Sequence, residues 1–548
     1  MSKIQNITFI IVSSVLLLIF TAAICPVTLQ NDTFYTIKIG EYIMQNGISV
    51  LHNGIDPFSW HNNLPYTYPH WLYDVLIYNI YNIGGFAGIY ISTIVLACIL
   101  ALSIYYVNAK LTKNKLTSFI ITLGVMYLIK GYIAARAQLL TFILFIWTVY
   151  FIEKFLKTGK KRYAISLIII PIIIANCHSA VWPFFFILFL PYIGEYLVSF
   201  IPDLGIYFRN WRIKHLTKKL NKNKIKENKV EFVNKKIESY IAKNEKNQRI
   251  NEKRRENPYK IKIERNKNTK FLIAIALICS LTGLLTPLGD TPYTYLIHTV
   301  QGNTMKSISE HLPMTLIESK DFLCVIALFL AILIFTDRKI KLSDLFFIGG
   351  LLYLTLSSRR QMSMFVLICS IVFNRLVCSL FDKYDPNGCK KAELQMIKLP
   401  GIIVTIAVVL IMSLYFVKPK MDDKFINTAG YPVKAADYIL ENLDLSTMRL
   451  FNEYNYGSYL IYRGIPVFID SRADLYAPEF NGGKNIFSDF INTSSISAYY
   501  EDKFEKYKIT HVIVGKKTKL NMLISRNSDY KLLYSDDNFC LYDRLKRN

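Results

Sequence analysis

The residues able to do chemistry fall in a few short stretches. Asn31 to Tyr78 holds Asp32, Asp56, three histidines and many aromatic side chains, more than a plain connection between apolar segments needs. A carboxylate at a membrane surface can take the proton of a hydroxyl group. Asp32 has a plainer alternative as the N-cap of a helix beginning at Thr33, and Asp56 as an N-cap with Pro57 in the first helical position. His70 and Trp71 suit substrate contact or anchoring at the interface, where Trp is favoured. Further along come Arg136 and Gln138, where Arg136 can also snorkel, then His178 and Glu310-His311. Arg359-Arg360 is a paired guanidinium, well matched to phosphate. In FIDSRADLY (468–476), Asp470, Arg472 and Asp474 follow a β-like run. Loops at strand ends bind ligands in α/β sheets, and an internal salt bridge is the alternative.

The elements that must position these groups are mostly apolar helices. The chain has 548 residues, is 52% apolar and 14% aromatic, and has a mean hydropathy of +0.27. Apolar runs recur at 7–25, 86–107, 117–134, 138–153, 163–176, 181–199, 270–287, 321–336, 342–357, 361–381 and 399–417, lengths suited to crossing hydrocarbon. The expected fold is mostly α: a polytopic transmembrane helical bundle of about eleven spans, with a small C-terminal α/β domain. The net charge of +25 is not a nucleic-acid signature. Between Ile201 and Lys270 there are 22 Lys and Arg against 8 Asp and Glu, and no recognition motif accompanies them. That segment is expected to be disordered or a long solvated helix. The nine cysteines contain no CxxC pair, so neither a disulfide framework nor a zinc site is implied.

With the N-terminus inside, the basic loops at 110–115, 154–162, 201–270, 338–341 and 383–391 all fall on the inner side. The organisation expected is an N-terminal transmembrane region (1–200) with an outer loop at 26–85, a basic cytoplasmic loop (201–270), a second transmembrane region (271–419) and an extracytoplasmic domain (420–548). In the outer loop, Tyr35, Ile39, Tyr42 and Ile43 form an amphipathic stripe ended by Gly47, expected to lie in the membrane interface. A second helix starts near His70 and runs to Gly84-Gly85. After residue 420, a helix from Pro432 to Leu443 precedes β-like runs at 449–454, 466–470, 510–515, 530–536 and 538–545. Their alternation with helices predicts a largely parallel sheet closed by an antiparallel hairpin.

Taken in order, NDTFYTIKIGEYIMQNG, DPFSW, PHWLYDVLIYNIYNIGG, ARAQLLTF, ANCHSAV, TPLGDTPYTY and FNEYNYGSYLIYRGIPVFIDSRADLY resemble the polytopic membrane glycosyltransferases of the GT-C superfamily, in particular bacterial members with a C-terminal outer domain. The family's outer-loop acid matches Asp32. Its DPFS…HEWL motif matches Asp56 to Ser59 and His70 to Leu72 without the Glu. Its Arg-Pro-Gln reads Arg136-Ala137-Gln138, and its Asn-Pro-Tyr-Gly reads TPLG (286–289). The resemblance implies transfer of a sugar from a polyprenyl-phosphate donor to a cell-envelope glycan or protein acceptor at the outer face of the cell membrane, with a divalent metal ion as an optional cofactor. Asp32 and Asp56 would be catalytic. His70, Arg136, Gln138, His178, Arg359, Arg360, Asp470, Arg472 and Asp474 would bind substrate. The alternative is non-enzymatic: a membrane scaffold or lipid-linked glycan transporter with a glycan-binding outer domain.

Overall fold

The structure, a computed structural model, describes residues 2–52, 54–222, 224–302, 308–317, 319–337 and 339–546. Arg338, one of the inner-loop cations, and residues 303–307 and 318 of the 288–320 loop lie outside the described residues. Every one of the eleven apolar runs contains helix. Among the described residues, six helical segments are long and apolar enough to cross a membrane: Lys3–Ile24, Trp71–Thr112, Ala137–Thr158, Ser179–Asn221, Arg359–Tyr384 and Leu399–Lys420. Shorter apolar helices at Lys115–Leu128, Thr269–Leu284 and Leu342–Ser357 pack among them.

Local chemistry sets several of the ends. Ser2 accepts from the Gln5 N–H, and Gln5 reaches back to the Ser2 N–H, a reciprocal cap on the first helix. The long Trp71–Thr112 segment is broken at Gly85, whose φ of 57° suits a residue without Cβ, where the sequence ends its second helix. One set of charges inside the apolar helices is mutually satisfied. Arg375 lies 2.6 Å from Asp344 and 2.9 Å from Glu153, which also accepts from the Tyr192 hydroxyl at 2.9 Å.

The basic 201–270 segment is neither disordered nor one long helix. Leu204–Asn221 and Val230–Glu256 form an antiparallel helical hairpin, joined by Arg209 to Asn244 (2.6 Å) and Asn251 to Asp203 (3.0 Å). Hydrogen-bonding side chains between the two helices do the work that an apolar stripe does elsewhere, which is why composition alone is silent about it. Beyond it, β1 (Ile261–Lys262) pairs in parallel with β2 (Ile340–Lys341).

The C-terminal sheet differs from the parallel expectation. It comprises β3 (Leu450–Phe451), β4 (His511–Gly515), β5 (Tyr530–Ser535) and β6 (Phe539–Arg544), in the order β3-β4-β6-β5. Only β3 and β4 are parallel; β6 runs antiparallel to both neighbours, and the final β5–β6 hairpin is as expected. The 466–470 run is not a strand of this sheet. It forms a single bridge, Val467 to Ser59, and so receives the outer loop instead.

That loop is part of the C-terminal domain's core. Protein covers two faces of the helix Asn31–Asn46. Tyr35, Ile39 and Ile43 meet Leu51, Tyr68 and Leu288, while Phe34 and Ile37 join Tyr431, Ile439, Tyr459 and Leu541. Phe34 is fully buried, with ring centroids of Tyr431, Tyr459 and Tyr462 at 5.0, 5.3 and 5.6 Å. Burial of one such ring stabilises by roughly 1.5–3 kcal/mol. Two glycines allow the close approach. A Cβ on Gly40 would stand 2.2 Å from the Asp74 carbonyl oxygen of the next helix. One on Gly457 would stand 2.0 Å from the Ile469 carbonyl oxygen.

Candidate functional site

The candidate residues separate into two clusters. The first forms where the 26–85 loop meets the ends of three apolar helices. Asp32 is not an N-cap: the helix starts at Asn31 and Gln30 occupies the cap, placing Asp32 in the first turn, where the helix dipole favours a carboxylate. Its Oδ2 pairs with Nη2 of Arg136, the N-cap residue of Ala137–Thr158. The second Arg136 nitrogen lies 3.9 Å from Oε1 of Glu310. Burial works against the Arg136 charge, but Asp32, Tyr35 and Glu310 outweigh it and hold the guanidinium protonated more firmly than usual.

His70 and His178 stand beside this pair. Their ring centroids are 4.8 Å apart, and the Ser179 N–H donates to the Pro69 carbonyl at 2.8 Å, tying the two histidine-bearing turns together. His178 Nδ1 shares a 2.8 Å hydrogen bond with the Thr141 hydroxyl. Burial, followed by the positive charge of Arg136 and Arg360, lowers the His70 pKa to about 3. Burial and the same neighbours also push His178 well below its ordinary value, so both rings are neutral near pH 7. His311 is lowered to about 4 by burial and Arg360. The Trp71 indole N–H donates to Asn176 at 3.2 Å.

Arg359 and Arg360 occupy the tight turn between Leu342–Ser357 and Met362–Tyr384. Arg359 is used structurally: its backbone N–H donates to the Leu312 carbonyl, Nε to the Pro313 carbonyl at 3.3 Å, and its own carbonyl accepts from Tyr132. Arg360 is half-buried and, among the described residues, forms no ion pair within 4.0 Å. Gln138 sits in the first turn of the Arg136-capped helix, buried.

The second cluster joins Asp56, Asp470 and Arg472, and it is the internal salt bridge rather than an open ligand loop. Arg472 Nη1 meets Asp56 Oδ1 at 2.7 Å, while Nε and Nη2 meet the two Asp470 oxygens at 2.8 and 2.7 Å. Tyr476 also donates to Asp470. No helix follows Asp56. Its carboxylate instead accepts the N–H groups of Phe58 (3.3 Å) and Ser59 (2.8 Å), a local turn, so the expected N-cap is not made. Asp56 and Asp470 are 4% and 0% exposed, and the strong contacts of both carboxylates and of Arg472 are internal to the protein. Asp474 accepts from the Tyr295 hydroxyl at 2.7 Å, between the two clusters.

Glu310, the second acid on Arg136, was legible only as an isolated Glu-His. Tyr35 and Tyr454 flank Asp32 and Arg136, signalled by aromatic density alone. Asp74, fully buried with Oδ1 lacking a hydrogen-bond partner, carried no sequence signal. Among the described residues, no group of three or more His, Cys, Asp or Glu is arranged to hold a metal ion. No protein-family model matches the chain, and no curated protein is significantly similar to it.

Proposed function

We propose that the protein is a membrane glycosyltransferase that moves a sugar from a polyprenyl-phosphate donor to an envelope acceptor. The observation that carries this reading is Arg360. It is a half-buried guanidinium with no ion-pair partner among the described residues, beside an Asp32–Arg136 pair and two neutral histidines. A partly desolvated cation of that kind favours an anion. In the step proposed, the acceptor oxygen bonds to the sugar's anomeric carbon as the bond from that carbon to the phosphate oxygen breaks. The acceptor proton goes to Asp32, and the lipid phosphate leaves with its electron pair against Arg360. Charge develops on the leaving phosphate, where a fixed cation stabilises it most. Asp32 keeps Oδ1 for the proton while Oδ2 engages Arg136. The transporter alternative asks for polar groups within the bundle open to a solute. Arg375, Glu153 and Asp344 instead close on one another.

Arg360→Gln is expected to weaken binding of a polyprenyl-phosphate sugar by about 10- to 100-fold, the value of one hydrogen bond to a charged group. Arg359→Gln should do less, because Nε already serves Pro313. The measurement is donor affinity of purified protein in detergent; unchanged affinity in Arg360→Gln removes the proposed phosphate contact.

The proposed topology of about eleven spans puts residues 420–548 and the Asp32 site on the outer face, with the basic hairpin in the cytoplasm. The one-sided Lys and Arg distribution supports it. A reporter enzyme fused to the C-terminus should be active only outside; cytoplasmic activity would reverse the assignment.

A further inference from the structure

A second cavity lies on the seam between the outer loop and the C-terminal domain, away from the Asp32 cluster. It has a volume of about 530 Å³ and is lined by Trp60, His61, Arg449, Lys484, Lys506 and Tyr507, with Asn62 and Asn485 at its edge. That volume falls in the ordinary range for small-molecule sites. Among the described residues, no Asp or Glu lines it.

Backbone contacts fix its aromatic wall. The Trp60 indole N–H donates to the Leu450 carbonyl at 2.9 Å. His61 stacks on Trp60 with centroids 4.3 Å apart and bonds the Phe468 carbonyl through Nε2 at 2.8 Å. Burial lowers the His61 pKa to about 4, so at neutral pH Nε2–H is the donor and Nδ1 remains an acceptor. The cations are only partly committed. Arg449 lies over the Trp60 ring at 5.6 Å and spends one N–H on the Tyr507 carbonyl. Lys484 donates to the Asn62 carbonyl at 3.1 Å. Among the described residues neither forms an ion pair. Lys506 lies 2.6 Å from Asp489, but that carboxylate also takes Lys503 at 2.6 Å and the Tyr507 hydroxyl at 2.8 Å. The lining therefore carries excess positive charge beside flat ring surfaces and two side-chain amides.

We propose that this cavity binds an acidic saccharide, a sugar ring bearing a carboxylate within a short glycan segment. The C–H face of a pyranose packs on an aromatic wall, its carboxylate meets Arg449 and Lys484, and its hydroxyls meet the Asn62 and Asn485 amides. A bare phosphate uses the cations but leaves the aromatic wall idle; a neutral glycan uses the wall but leaves the cations uncompensated. The site shares no residue with the Asp32 cluster and stands whether or not the protein is a transferase.

The test is direct binding, without turnover. Full-length protein in detergent is titrated with a hyaluronan tetrasaccharide, chitotetraose, inorganic phosphate and uridine monophosphate, with heat or Trp fluorescence as the readout. Saturable binding of the acidic tetrasaccharide is expected, at least 10-fold tighter than chitotetraose. Lys484→Gln, at an exposed position, and Arg449→Gln should each weaken it several-fold with an unchanged unfolding midpoint. Absence of binding, equal binding of the neutral tetrasaccharide, or unaltered affinity in the Lys484→Gln, Arg449→Gln double variant with native stability overturns the proposal. So does displacement by phosphate at equal concentration, which makes it a simple anion site, or by uridine monophosphate, which makes it a nucleotide site.

Discussion

Asp32→Asn should lower sugar transfer by about 10²–10⁴-fold, the usual contribution of a general base. Asn keeps the shape and the place in the first helical turn but cannot take the acceptor's proton. The Arg136 contact supplies the rival explanation, because removing the Asp32 charge also strands a guanidinium whose other carboxylate lies 3.9 Å away. The double variant Asp32→Asn, Arg136→Gln separates the two. If Asp32 serves only as a counter-charge, removing Arg136 as well should restore much of the loss. If it is the base, the double variant stays as inactive as the single one. Transfer assays on purified proteins with a polyprenyl-phosphate sugar decide it, with thermal unfolding alongside. Normal turnover in Asp32→Asn would end the assignment; with Asp56 committed to Arg472, Glu310, 3.9 Å from Arg136, would be the next acid to test.

Arg472→Met is expected to cost about 3–5 kcal/mol of stability, the range for removing one partner of a buried ion pair. Two carboxylates depend on this guanidinium, and all three side chains are 0–3% exposed. Methionine fills the volume and leaves Asp56 and Asp470 facing each other without a cation. Arg472→Lys should fall between, since a single ammonium cannot reproduce the fork that meets Asp470 twice and Asp56 once. Denaturant or thermal unfolding in detergent measures both. A loss below about 1 kcal/mol in Arg472→Met would show that the triad is dispensable.

The sequence patterns reached the elements better than their partners. Apolar runs identify helices because length and composition are local properties, and the break at Gly85 and the final hairpin are local for the same reason. The sheet's direction is not local. Whether β6 sits beside β4 depends on pairings such as Val514 with Cys540, which no alternation pattern encodes. PVFID has the alternation of a strand, yet the Val467 backbone bonds the Phe58 carbonyl and the Trp60 N–H of the 26–85 loop. Within the site, Asp32, Arg136 and Arg360 stood out because charge next to apolar segments is conspicuous, and the fold brings all three to one place. Asp56 and Arg472 stood out equally and were read as functional. The salt bridge with Asp470, two residues from Arg472, is local and stands as the alternative reading of that stretch, whereas the share of Asp56 in it is invisible along the chain, 416 residues away.

That separation sets an order of events during synthesis. At ~5–20 residues per second, roughly 20–80 s pass between the emergence of Asp56 and that of Arg472. Phe34, Ile37 and Tyr73 wait for Tyr431 and Tyr459 until late in this interval, and for Leu541 until after it. An early segment of the chain is thus among the last to be enclosed, and a nascent chain arrested before residue 430 would leave its aromatic side chains uncovered.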